Sequence, residues 1–278
     1  MSRLGWMIVA CWPLAAVGQA PAPDTLAAIK AEEDAARRSF VERAREVKAA
    51  EDARAADEAY HAKVQSLMDR ALTLARSHPG EPENLAAPAW VASQAAIARG
   101  DAIAKRGDAA YRLLADAPVL DDTAILPAMF AAPGVGPRCP EAEPFLRSVI
   151  SRSRNPDLVT LARFGLGTSL AEMARLHDRL AAPISGPALA KELTEASRDR
   201  CRAVDAPKLR GEAEALLEEV VREQGDGPNT LGGQAAGDLY RIRHLRIGQP
   251  APDLVGEDLD GAPIRLRDFR GQVVILAF

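Results

Sequence analysis

Aromatic side chains are scarce in this 278-residue chain, at 4% of the total. A core with so few of them must be built from alanine and leucine, and with β-branched residues sparse before residue 247 that composition favours helix over sheet. Cysteine is scarcer still. Cys11, Cys139 and Cys201 are the three present, and none shares the C-x-x-C spacing of a local redox or zinc motif. The four histidines, His61, His78, His177 and His244, form no H-x-x-x-H pair and no His/Cys cluster, so no metal site is expected. There is no excess of basic charge either: the net charge of -4 lacks the global positive field that would draw nucleic acid, and none is expected as a partner. Gly134-Val135-Gly136 and Gly165-Leu166-Gly167 follow no buried strand and are not joined by a G-K-[ST] step, so they read as a turn and as helix packing rather than as phosphate loops. The carboxylates fall at salt-bridge spacings on helical faces, and no pair stands out as an acid and a base. No catalytic, cofactor-binding or metal-ligating residue is therefore assigned, and no cofactor.

Long apolar runs are also few, and the first is N-terminal. Arg3 supplies a short positive region and Leu4 to Val17 an apolar run too short for a comfortable membrane span of about 20 residues. Ala16-Val17-Gly18 before Gln19 fits a small-x-small cleavage site, with Gly18-Gln19-Ala20 before Pro21 as a second option. Residues 1–18 thus read as a signal peptide, and the protein as exported to the periplasm or cell envelope. Ile8-Val9-Ala10-Cys11 also resembles a lipobox, so contact with a membrane is expected only through lipidation at Cys11 or an uncleaved anchor. Export into an oxidising compartment permits Cys139 and Cys201 to pair, while two independent buried thiols fit the sequence equally well.

What the chain has in abundance is helix. Residues 24–246 read as an α-helical domain of helical hairpins. From Asp24 to about Ser77 runs a long helix-like segment, with Glu33 and Arg37, and Asp34 and Arg38, at the i,i+4 spacing of an exposed face. Tyr60, Val64, Leu67, Ala71 and Leu74 form one packed stripe, whereas between Val47 and Tyr60 the apolar residues are all alanine. That alanine stretch is expected to project into solvent or to pack loosely, and the long segment to form an extended antiparallel helix or to offer a coiled-coil surface to a partner. His78-Pro79-Gly80-Glu81-Pro82 breaks the helix. Further helices are expected over Leu85–Ala104, Ala109–Ala115, Thr123–Ala131, Glu141–Arg152, Pro156–Leu180, Pro187–Arg202, Lys208–Glu223 and Gly233–Leu245. A loop is expected at Ala132–Pro137 and a break at Gly225–Asn229. Asn155-Pro156 fits a cap followed by proline in the first turn. Short helices joined by short turns pack as antiparallel pairs, but no fixed repeat period is visible.

The second apolar run, Val273-Val274-Ile275-Leu276-Ala277-Phe278, follows the glycine turn signal of Arg270-Gly271 and reads as a strand buried on both faces. Before it, Asp260-Gly261 lies between Asp253-Leu254-Val255 and Pro263-Ile264-Arg265, the arrangement of a tight hairpin. These residues carry a resemblance. Gly248, Ala251, Pro252 and Asp253 match the G-x-x-A-P-D entry of the AhpC/TSA and redoxin domains, including the thiol-disulfide reductases related to TlpA and ResA. Asp258 and Gly261 match the D-x-x-G hairpin of that family. Leu266, Asp268, Phe269 and Gly271 match its L-x-D-F/Y-x-G-K-x-V element, with Gln272 standing where the family has lysine and Val273-Val274 following.

The resemblance covers about the last 32 residues and implies the first part of a thioredoxin-like α/β domain, residues 247–278, cut before its redox cysteine. The fold expected for the whole is mostly α: an exported α-helical domain followed by an incomplete thioredoxin-like domain. In the family the cysteine follows the strand that Val273 begins, at the start of a helix whose free N–H groups favour the thiolate. The family therefore implies an exported thiol oxidoreductase with antioxidant activity, either a disulfide reductase or a peroxiredoxin, acting on protein thiols and disulfides or on hydroperoxides. The chain as written lacks that cysteine and is expected to be inactive in either assay. A different class also fits, a helical scaffold that binds a protein partner and carries a degenerate redoxin domain.

Overall fold

The computed structural model describes residues 25–46, 49–77, 83–98 and 100–276, so the expected signal peptide, Cys11 and the break at 78–82 lie outside the described residues. The described chain is mostly helical, with eleven α-helices and one two-stranded sheet among those residues. The expected segment from 24 to 77 is two antiparallel helices, α1 (Leu26–Glu46) and α2 (Ala50–Ser77), in which Phe40 stacks on Tyr60 at 5.0 Å and Glu32 meets Arg70. The predicted stripe is the packed one: Val64, Leu67, Ala71 and Leu74 are buried, with Tyr60 half-buried at its end. The alanine stretch before it is exposed, as its small side chains offer little area to bury. The charges differ in detail. Arg37 reaches both Glu33, at 3.8 Å, and Asp34, at 2.7 Å, while Glu32 bridges across to Lys63 and Arg70 on α2.

Glycine and capping signals account for two further corrections. The helix expected over 85–104 is divided between α3 (Glu83–Ile97) and α4 (Asp101–Ala115), because Gly100, at φ 115°, has left helical geometry and Asp101 begins a new first turn. The helix expected over 187–202 is likewise two, α8 (Gly186–Glu192) and α9 (Glu195–Ala203). Leu193 is extended there and the Thr194 hydroxyl accepts from the Ser197 N–H to cap α9. Another correction runs the other way. After a 3-10 turn at Thr123–Ile125 capped by Asp122, α5 (Leu126–Val135) continues through Pro133, where a loop was expected. Burial of Ala131, Ala132 and Val135 holds this last turn, and the Val135 carbonyl accepts from both Arg138 and Cys139; packing here outweighs the proline penalty.

The remaining helices follow their punctuation: α6 (Ala142–Arg152), α7 (Pro156–Ala181), α10 (Ala206–Gln224) and α11 (Leu231–His244). Asn155, Asp205 and Thr230 cap the last three by accepting backbone N–H groups. Between α10 and α11, Gly225 and Asn229 adopt positive φ, the expected break. Helix α7 is central, packed on α5, α6, α10 and α11. It admits α10 through Gly167, where an added Cβ would stand 2.8 Å from Leu217 Cγ. The main core joins α2 to α7, α10 and α11, with Tyr111 and Phe145 fully buried and their rings 5.7 Å apart.

After α11 the architecture changes. Strands β1 (Val255–Glu257) and β2 (Pro263–Arg265) pair antiparallel, with Val255 opposite Arg265 and Glu257 opposite Pro263, followed by a 3-10 turn at Leu266–Phe269. The hairpin lies where the sequence predicts it, with a five-residue loop, 258–262, that contains Asp260-Gly261. The buried strand expected from Val273 is not formed over residues 273–276, which have no ladder partner among the described residues. Val273 is 98% exposed and Ile275 90%. An apolar run makes a buried strand only where neighbouring strands and covering helices meet it.

Candidate functional site

Two places bring together residues that bear on function: the C-terminal hairpin and the cleft from which it emerges. In the hairpin, several of the residues that carry the redoxin resemblance have a structural task. The Asp253 carboxylate accepts from the Arg267 N–H at 3.0 Å and pairs with its guanidinium at 3.2 Å, fastening the entry segment to the 3-10 turn. The Asp258 carboxylate accepts from the N–H groups of Asp260 and Ala262, both at 2.9 Å, and so organises the loop. Gly248, Gly261 and Gly271 adopt φ of 85°, 80° and 86°, angles that side-chain-bearing residues avoid. The Leu266 N–H donates to the Leu254 carbonyl, extending the pairing past β2.

The two cysteines described are unpaired and buried, so of the two arrangements open in the sequence the independent thiols are the one observed. Cys139 sits between α5 and α6, its Sγ 3.5 Å from the Ala104 carbonyl. Burial, reinforced by the nearby Asp108 carboxylate, pushes its thiol up to about 12. Cys201, on α9, lies 3.6 Å from Met173 Sδ and is also raised by burial. His177 approaches Cys201 only through its backbone carbonyl, at 2.9 Å from Nδ1. Both thiols are held neutral, the opposite of what a nucleophile requires. No group of three or more His, Cys, Asp or Glu side chains is placed to hold a metal ion among the described residues. Gly165 and Gly167 lie in the buried face of α7, as helix-packing glycines. Gly134 lies within α5 and Gly136 at its C-cap rather than in a separate loop.

The cleft lies between α7, α10 and the end of α11, and encloses about 210 Å³. Five arginines line it, Arg175, Arg179, Arg210, Arg241 and Arg246, against the three carboxylates of Glu172, Asp178 and Asp238. Each carboxylate is already engaged: Glu172 with Arg175 at 2.5 Å, Asp178 with Arg210 at 2.9 Å, and Asp238 with Arg241. Asp238 also accepts from the Thr168 hydroxyl at 2.8 Å. Ala171, Ile242, Leu245 and Ile247 supply an apolar wall. The sequence reading missed this site, because it took charges on helices as solvated faces. The available signal was the i,i+4 pair Arg175 and Arg179, joined by the Arg-rich stretch at 241–246. Among the described residues no helix is long and apolar enough to cross a membrane. Comparison with protein-family models, curated proteins and solved structures finds no match for this chain.

Proposed function

We propose that residues 247–278 are the opening of a redoxin-type thioredoxin-like domain in an exported thiol oxidoreductase, with the helical part serving to position that domain in the cell envelope or to present it to partners. The observation that supports this most is the correspondence between motif and geometry: Asp253, Asp258, Gly261 and Gly271 match the family at the positions where the hairpin needs a carboxylate acceptor or a positive φ. The exposed apolar side chains of Val273, Ile275 and Leu276 also fit a strand that is meant to be covered by further strands and helices. The chemistry of the reading is thiol redox chemistry: a thiolate attacks one sulfur of a substrate disulfide, expelling the other as a thiolate, or the terminal oxygen of a hydroperoxide, cleaving O–O to release the alcohol and leave a sulfenic acid; a second thiol then displaces the substrate thiol, or water, to close a disulfide. Cys139 and Cys201 do not serve it, being buried and held protonated.

The test is the sequence that continues the reading frame. A cysteine within about ten residues of Phe278, at the start of a helix, is required by the helix-terminus activation of such thiols, and the protein carrying it should reduce insulin disulfides or consume hydroperoxide. A cysteine-free continuation overturns the enzymatic reading. The scaffold reading draws on a different observation, that among the described residues the buried core lies in the helical part. It is favoured if the protein with its continuation retains a protein partner but performs neither reaction.

A further inference from the structure

We infer that the cleft between α7, α10 and α11 is a binding site for a small organic oxyanion, a carboxylate or phosphate on a short apolar group, gripped by Arg179 and Arg246. The inference is independent of the redoxin reading. It begins from charge: three of the five lining arginines are matched one to one by Glu172, Asp178 and Asp238. Arg179 and Arg246 have no carboxylate within ion-pair distance among the described residues. Both are partly buried, and the Nε of Arg246 is shielded from solvent without a hydrogen-bond partner there. A guanidinium is a planar fork of donors that stays charged, so a sheltered and unmatched one is completed by an oxyanion that accepts two parallel hydrogen bonds.

The matched arginines add to this. Glu172 holds Arg175 more firmly charged than usual through their hydrogen bonds, and the pairs fix the walls so that the surplus positive charge is concentrated on two side chains. The volume, about 210 Å³, is below the range of drug-sized pockets and suits a compact ligand. Ile242, Leu245 and Ile247 line the same cavity, so an apolar group on the anion would leave water as its charge meets the arginines. Because Leu245 to Ile247 form the link to the hairpin, an occupied site would also fasten that link to α7.

Titration calorimetry of the 278-residue chain at low salt, with phenyl phosphate, benzoate, inorganic phosphate and benzyl alcohol as probes, tests the inference. Phenyl phosphate or benzoate should bind saturably, whichever is tighter identifying the headgroup; inorganic phosphate should bind more weakly and benzyl alcohol not at all. Arg179→Gln and Arg246→Gln should each weaken binding about tenfold, as expected for loss of a charge-assisted bidentate contact. Arg246→Lys, which keeps the charge and loses the fork, should fall between. Arg43→Gln, on the exposed face of α1, should leave binding unchanged, and far-ultraviolet circular dichroism should show each variant folded. Absence of saturable binding by either aryl anion, equal affinity for inorganic phosphate, or wild-type affinity in a folded Arg179→Gln/Arg246→Gln double variant would each overturn it.

Discussion

From 25 to 245 the helices bury a continuous core: Leu67, Tyr111, Phe145, Leu166 and Leu217 are each no more than 1% exposed. From 246 to 276 no residue is buried, although Val273 to Leu276 is among the most apolar stretches of the chain. Apolar content alone does not account for the difference in burial; the number of partners does. A helix satisfies its own backbone and needs only one neighbour for its apolar stripe, whereas a strand needs ladders at its edges as well as cover on its faces. The hairpin at 253–267 occupies a middle position, since its turn is specified by local groups, Asp258 and Gly261 among them, with no core beneath it.

The sharpest way to break this comparison is to remove the same kind of group from each region. Phe145→Ala should cost about 3–5 kcal/mol, because the ring is fully buried against Tyr111 and leaves a cavity. Ile275→Ala should change stability by less than about 0.5 kcal/mol, as it removes an already exposed side chain. Urea unfolding followed by circular dichroism reads both. A comparable loss in the two variants would mean that the C-terminal segment shares the helical core after all.

Within the helical region, glycine substitutions separate close-packed from open positions at smaller magnitude. At Gly107 an added Cβ would meet Ala95 Cβ at 2.6 Å and Cys139 Sγ at 2.9 Å, so Gly107→Ala should overpack α4 and cost about 1–3 kcal/mol. At Gly237, within α11, an added Cβ meets nothing within 4 Å, and alanine there should stabilise the helix by up to about 1 kcal/mol. Thermal unfolding should therefore shift in opposite directions for the two. Shifts of the same sign would show that helix propensity, not close packing, decides the tolerance of these positions.

The pattern of correct and corrected expectations follows from where the controlling interactions lie. Asn155 before Pro156, and Gly225 with Asn229, are local signals, and the helix start and the break appear where they predict. The division at Gly100 was equally local, but the apolar residues on either side carried the helical reading across it. Pro133 is the opposite case, since the burial that keeps α5 helical comes from helices distant in sequence. The arginine cleft depends on α7, α10 and α11 converging, and no spacing along one helix reveals that two of its five arginines lack a carboxylate.

In the hairpin, Asp258→Ala removes the acceptor for two backbone N–H groups of the loop, an effect of about 1 kcal/mol by analogy with other side-chain caps. A two-stranded hairpin is marginal alone, so exchange of the amides at 258 and 266, which donate to the Ala262 and Leu254 carbonyls, should accelerate several-fold while the helical core keeps its protection. Loss of protection in α7 or α10 as well would show that the hairpin and the helical region unfold as one unit.

The smallest expected effect is on the pH dependence of the helical region. Hydrogen bonds from Lys63 and Arg70 hold the Glu32 carboxyl below the usual glutamate range. The unfolded chain, lacking these partners, takes up a proton first as pH falls. The stabilisation is therefore fully present above the ordinary glutamate range and lost as pH falls through the lower, folded value. Asp108 works in the opposite sense, because burial raises its carboxyl: the folded state keeps the proton longer, and stability falls as pH rises from the ordinary aspartate value through the raised one. Glu32 is partly exposed and its pairs are screened, so the effect should be modest and should shrink with added salt. Glu32→Gln should flatten the acid limb of the melting temperature against pH, and Asp108→Asn should flatten the decline above the ordinary aspartate range. An acid limb as steep in Glu32→Gln as in the wild type would assign acid sensitivity to other carboxylates and remove the α1–α2 bridge from the account of what holds the helical region together.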